Sequence, residues 1–368
     1  MFNPFQKLVL VYILWNASSL ISGGMFEVYF FGLGMSQSQI YLADTIWFLP
    51  SLLAIPLFAS FSSKKFMAGG IMLALIATLA MAFSPGPAGA FTFRILLGLT
   101  NFLFWVPFNV LYYEYSRDNN ASLGALYYSL GPLLSLFLPA SAGILAQAVG
   151  FQPLFILAAI SFALTLVASI LLVEDKVFKY TAKGALDSLS GLKTLVFLEG
   201  FSGMSILSVT LPVMLLTFAQ RPLDFGLFLS ASTVFSVGAS LVTARYSDKL
   251  KSRRVFILPA VIAFAAAAIL AAVSQDIGTF FIAFGLVNFL SRIFFPLSLA
   301  LVVDNSKSLA DSITGREIFL NAGRLLGCLA GFALAAAAGL GYSLLFQGAA
   351  MLLYAVVFEA KKHKLSSH

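Results

Sequence analysis

The sequence predicts an all-α membrane protein with twelve transmembrane helices in two six-helix, pseudo-symmetric halves. Three observations carry that expectation: scarce charge, a succession of apolar runs each long enough to cross a bilayer, and an internal repeat. Of 368 residues, 60% are hydrophobic and 10% are charged, and the mean hydropathy is +0.96. A water-soluble domain carries about 25% charged residues, so this chain lacks the side chains to cover a surface in water. Backbone polar groups inside lipid must be satisfied within their own segment, and an apolar run of about 20 residues does so as a helix.

The apolar runs place spans near 8–32, 40–61, 66–84, 91–113, 122–148, 153–173, 194–218, 226–246, 255–274, 279–302, 314–340 and 342–359. Turn formers separate them, as in Ser84-Pro85-Gly86-Pro87 and Gly150-Phe151-Gln152-Pro153. No small-residue cleavage site follows the first run, which is therefore read as a span and not as a signal peptide. Lysines and arginines such as Lys64, Lys65, Lys176, Lys249 and Lys361 fall at alternate connections and at both ends, whereas the opposite connections hold little beyond Arg221. By the positive-inside rule both termini are cytoplasmic, and the expected location is a prokaryotic plasma (inner) membrane. The net charge of +7 is then topological and does not point to nucleic acid.

The expected organisation is an N-terminal six-helix half at 1–175, a cytoplasmic linker at 176–192, a C-terminal six-helix half at 193–360 and a tail at 361–368. The repeat supports the halves. Thr92-Phe93-Arg94-Ile95-Leu96-Leu97-Gly98-Leu99-Thr100-Asn101-Phe102-Leu103 matches the segment that begins at Thr279, 187 positions later, including Gly285 and Asn288. Gly131-Pro132-Leu133-Leu134 likewise matches Gly323-Arg324-Leu325-Leu326. Matched Gly and Asn in order are harder to obtain by chance than matched aliphatic residues.

The segment Ala244-Arg245-Tyr246-Ser247-Asp248-Lys249-Leu250-Lys251-Ser252-Arg253-Arg254 resembles the loop between helices 8 and 9 of the major facilitator superfamily, with Ala244 and Ser252 at its usual glycines. Arg94 with Gly98 resembles the superfamily's helix 4 motif, although Leu97 stands where many members have Gln. Gly131-Pro132 resembles part of an antiporter-associated motif, with Ser135 and Leu136 replacing its glycines. After helix 2, Phe61-Ser62-Ser63-Lys64-Lys65 lacks the acidic residue of the equivalent loop. The resemblance implies alternating access around a central cavity lined by helices 1, 4, 7 and 10, with Asp248, Arg253 and Arg254 gating the cytoplasmic side.

Polar residues inside the apolar runs mark the same helices. A mid-membrane charge costs at least about 2.5 kcal/mol, so it faces water, a partner or a substrate. The expected substrate and coupling cavity comprises Asn16, Glu27, Asn101, Trp105, Glu199, Asn288, Arg292, Asn321 and Arg324. Trp105 occupies the repeat position of Arg292, which sets positive charge in the C-terminal lobe alone, with Glu199 as its nearest expected partner. Glu27 serves either proton coupling or a gate, and Asp44 reads as a solvated or capping residue. Glu114, Arg117 and Glu317 are expected in a cytoplasmic gate.

A transporter follows from this reading, and an enzyme does not. The two histidines, His363 and His368, lie in the tail, the single Cys328 lies in an apolar run, and no nucleophile elbow or metal-ligand spacing occurs. No cofactor or metal is expected. The implied partners are a small-molecule substrate, a proton or other coupling ion, and the lipid bilayer, with the chain acting as a monomer. Glu27 and Glu199 suit protonation-coupled movement and Gly131-Pro132 favours export of a small organic compound, whereas Arg292 and Arg324 favour an anionic or polyhydroxyl solute that enters. A sensor or scaffold that transports nothing is the remaining alternative.

Overall fold

The computed structural model describes residues 3–115, 129–250 and 254–361, with the side chains of 240–250 and 254 outside that description. Among the described residues, twelve helices are long and apolar enough to cross a membrane. Spans 1–6 are Pro4–Gly32, Gln37–Leu57, Ser63–Phe83, Pro87–Tyr115, Ser129–Val149 and Phe151–Leu172. Spans 7–12 are Lys193–Leu215, Pro222–Ala239, Val255–Ala272, Ile277–Asp304, Leu309–Ala338 and Leu340–Ala360. Twelve crossings start span 1 and end span 12 on one side, here the near face, with the far face opposite.

Several spans begin two to five residues before the apolar windows, for a local reason. Asn3, Ser36, Ser62, Asp276 and Ser308 each accept a hydrogen bond from the backbone N–H three residues on. These caps satisfy donors that the first turn leaves open, so the helix extends into polar sequence that a hydropathy window discards. Gly150 (φ 88°) and Gly339 (φ 107°) turn span 5 into span 6 and span 11 into span 12 at equivalent places in the two halves. A side chain is strained at such angles.

Two spans lose regular α-helix beside a proline. Span 4 widens to a π-helix at Asn101–Trp105, just before Pro107, and span 7 at Glu199–Met204 and Ile206–Thr210, before Pro212. Proline lacks the N–H that would bond one turn back and crowds that carbonyl, and a wider turn accommodates both effects. Span 2 is interrupted at Trp47.

The halves meet along spans 2 and 11 and along spans 5 and 8. A Cβ on Gly143 would lie 2.4 Å from the Pro222 carbonyl oxygen, and one on Gly226 would lie 2.2 Å from that of Pro139, so these glycines permit backbone contact between spans 5 and 8. Gly200, Gly323 and Gly327 do the same for spans 7 and 11. The Ala335–Ala338 run ends its helix largely exposed.

The segment between the halves is ordered and not a bare tether. Strand β1 (Ser60–Ser62) pairs antiparallel with strand β2 (Val177–Lys179), and Tyr180 Oη donates to the Ile55 carbonyl at 2.6 Å. A short linker helix, Ala182–Ser188, then packs on the start of span 11, where Gly315 lies against the Ala185 carbonyl. Span 8 continues as helix to Leu250, so Asp248 is helical where a loop was expected.

Candidate functional site

Two adjoining cavities lie between the halves. The larger, about 430 Å³, is walled by Asn288, Arg292, Arg316, Glu317 and Arg324 from spans 10 and 11, and faces Phe48, Asn109 and Trp105. The second, about 300 Å³, is walled by Asn16, Ser19 and Glu27 of span 1 and Arg94 of span 4. Trp47, Asn101, Trp105 and Ser208 border both. Asn101, Trp105 and Ser208 sit on the π-helical stretches, so the widened turns form the shared wall.

The N-terminal half carries a closed ion-pair triad. Arg94 Nη2 lies 2.5 Å from Asp44 Oδ1 and 3.2 Å from Glu27 Oε1, with its guanidinium 3.6 Å from the Phe26 ring centroid. All three charged groups are buried. Asp44, expected to be solvated or capping, is fully buried because span 2 turns it inward onto Arg94. Arg94 lies seven residues inside a helix that begins at Pro87, about 10 Å along its axis.

The C-terminal half carries a longer chain of charge. Arg316 Nη2 donates to Glu199 Oε1 at 2.6 Å, and its Nη1 donates to Glu317 Oε1 at 3.3 Å. Ser298 donates to Glu199 Oε2 at 2.5 Å. Arg324 Nη1 donates to Asn321 Oδ1 at 3.0 Å and lies 3.9 Å from Glu317 Oε2. Glu199 is therefore the partner of Arg316, a residue absent from the sequence-based site, where Arg292 and Arg324 were the expected partners. The close approach of spans 7 and 11 at Gly200 and Gly323 puts Glu199 within reach of Arg316.

The expected cavity residues sort into two groups. Asn16, Glu27, Asn101, Trp105, Asn288, Arg292 and Arg324 line the cavities. Glu199 and Asn321 are fully buried behind the wall, where they hold Arg316, Arg324 and Glu317. Glu317, expected in the gate, lines the larger cavity because it lies eight residues beyond the start of span 11 at Leu309. Glu114 lies on the near face and accepts from Lys176 Nζ at 3.3 Å. Arg117 and Arg253 lie outside the described residues, as do the side chains of Asp248 and Arg254. Trp47 and Ser208 were missed because a lone Trp or Ser in an apolar run carries no signal of its own.

A family model described as Major Facilitator Superfamily matches residues 8–199 and again residues 194–366. The chain belongs to the major facilitator superfamily. The double match coincides with the two six-helix halves. Solved structures agree with it in fold. A crystal structure of the human organic anion transporter MFSD10 (TETRAN) superposes with TM-score 0.72 at 13% identity, over 97% of this chain and 100% of that one. A POT family transporter bound to a thioalcohol-conjugated peptide superposes with TM-score 0.76 at 12% identity, over 99% and 96%. A POT family transporter bound to 5-aminolevulinic acid gives 0.76 at 13%, again over 99% and 96%. No curated protein matches the chain in sequence. Family and fold make this superfamily member an integral multi-pass membrane protein and support a secondary transporter.

Proposed function

We propose that this transporter moves a small organic anion by alternating access, coupled to proton movement through Glu317. The observation that carries the reading is the pair Arg292 and Arg324 on the larger cavity, which Trp105 and Phe48 also line, with the Arg324 guanidinium 5.6 Å from the Phe48 ring centroid. An arginine keeps its charge inside a protein, and its planar fork matches a carboxylate or phosphate. Three arginines (Arg292, Arg316, Arg324) stand against two carboxylates (Glu199, Glu317) on the C-terminal side, so the wall is formally cationic. The aromatic side chains of the lining suit an apolar or aromatic body. A volume of about 430 Å³ falls in the range of about 300–1,000 Å³ of small-molecule sites. The human neighbour's description as an organic anion transporter is in keeping with this reading.

Glu317 is favoured for coupling because it borders the cavity and shares two guanidiniums, whereas Glu199 is buried behind the wall and does not line the cavity. An anion that recruits Arg324 draws it from Glu317, 3.9 Å away, which ties this carboxylate to occupancy of the cavity. The near face, with Lys64, Lys65, Lys176 and Lys361, is read as cytoplasmic, and one chain supplies both walls, so a monomer suffices. Thermal-shift screening of the purified protein with benzoate, phthalate and citrate against size-matched amines tests the charge preference. Flux of the binding anion into liposomes under an imposed pH gradient then tests coupling, and its sign gives import or export. Stabilisation by amines and not by anions would overturn the substrate class.

A further inference from the structure

Alternating access requires that contacts closing one face break while the other face closes. On the far face the halves are joined by a ring of three buried polar side chains, none of which lines either cavity. Tyr41 of span 2 reaches across to Thr210 of span 7, with Oη 2.8 Å from Thr210 Oγ1. Thr210 donates to Gln347 Oε1 of span 12 at 2.8 Å, and Gln347 Nε2 donates back to Tyr41 Oη at 3.3 Å. Thr210 has one hydroxyl hydrogen, and with it directed to Gln347, Tyr41 is the donor to Thr210. Each group in the ring then donates once and accepts once. Tyr41, Thr210 and Gln347 all have 0% exposure. Gly331 of span 11 makes the socket, since a Cβ there would lie 2.3 Å from Tyr41 Oη and 2.8 Å from Gln347 Nε2.

We propose that this ring is the bolt of the far face and that Tyr41 is a positioning residue which sets how readily that face opens. The inference rests on the alternating-access reading above. The chemistry suits repeated breaking. Two members, Thr210 and Gln347, belong to the C-terminal half and stay bonded to each other when the halves part. Gln347 also donates to the Gly327 carbonyl within the same half at 3.3 Å. The Tyr41 hydroxyl, and the Thr210 oxygen and Gln347 N–H that face it, exchange the ring for water on opening, so no polar group is left both buried and unpaired. Nearby, Gln37 Nε2 of span 2 lies 3.1 Å from Thr217 Oγ1, beyond the end of span 7, and marks the same seam at the surface.

The test needs no substrate, so it fails or succeeds separately from the anion assignment. In a Cys328→Ser protein, Gln37→Cys and Thr217→Cys are introduced together, and the rate of oxidative cross-linking in nanodiscs reports closure of the far face. Tyr41→Phe, which keeps the ring and removes the hydroxyl, should slow cross-linking at least fivefold. Gly331→Ala, which fills the socket and removes no polar group, should do the same, and Thr210→Val serves if that variant does not fold. Tyr29→Phe is the control: its hydroxyl donates to the Met81 carbonyl at 3.1 Å inside the N-terminal half alone. It should lower the melting temperature about as much as Tyr41→Phe while cross-linking stays within twofold of the parent. An unchanged rate in Tyr41→Phe, or an equal slowing in Tyr29→Phe, would show that the ring is merely structural.

Discussion

The two halves descend from one repeat yet carry their buried charge in different ways. In the N-terminal half one arginine sits between two acids and is roofed by Phe26, a self-contained triad whose formal charges sum to −1. In the C-terminal half the charges form a chain, Glu199–Arg316–Glu317–Arg324, that starts behind the wall and ends on it. The triad lies toward the far face, on the start of span 4 and the end of span 1; the chain lies on the first part of span 11. Duplication supplied equivalent helices, and divergence made one half a brace beside the second cavity and the other a wall of the larger one. The expectation placed positive charge in the C-terminal lobe alone; the N-terminal lobe also holds a cation, Arg94, which its two acids outweigh.

Four predictions would break or sharpen that contrast. The largest effect is expected at Arg316, because its removal leaves Glu199 buried without its cation. Breaking a buried pair from one side costs about 3–5 kcal/mol, so Arg316→Ala should express poorly and melt far below the parent. Adding Glu199→Gln should restore much of the lost melting temperature. No recovery in the double variant would mean that Glu199 is not the group Arg316 neutralises.

Next is binding at the wall. Arg292→Lys keeps the charge and loses the fork, so anion affinity in a thermal-shift or calorimetric titration should fall more than tenfold, about 1.4 kcal/mol, with the fold intact. Arg94→Lys, in the closed triad, should instead lower stability and change affinity little. Equal behaviour of the two lysine variants would erase the distinction between brace and wall.

The third concerns Glu317. Glu317→Gln retains a hydrogen-bonding side chain of similar shape but binds no proton. It should exchange labelled anion across liposomes at a rate within about threefold of the parent, while accumulation driven by a pH gradient disappears. Gradient-driven accumulation at the parental level would move coupling to another carboxylate, with Glu27 of the second cavity next in line.

The smallest binding effect is expected at Asp248, near the end of the span 8 helix. As a gating residue by family resemblance, it should leave affinity within about threefold, under 1 kcal/mol, when changed to Asn, and slow turnover. A large affinity loss at normal maximal flux would assign it to binding instead.

What the sequence by itself determined is whatever lipid imposes locally. Each span must satisfy its own backbone, so length and hydropathy reveal it without knowledge of its neighbours. Five capped starts could be read one step further from Asn3, Ser36, Ser62, Asp276 and Ser308, since a cap acts within its own first turn. The duplication was legible for a similar reason, because repeat matching compares residues without asking what they touch. The tertiary structure alone decided which charge meets which. Glu27 and Arg94 are 67 positions apart, and Glu199 and Arg316 are 117. Helical periodicity selects a face of one span but not the face of the span that will lie against it. That choice depends on where glycines such as Gly200 and Gly323 let two backbones approach, and on the rotation that each packed helix then adopts.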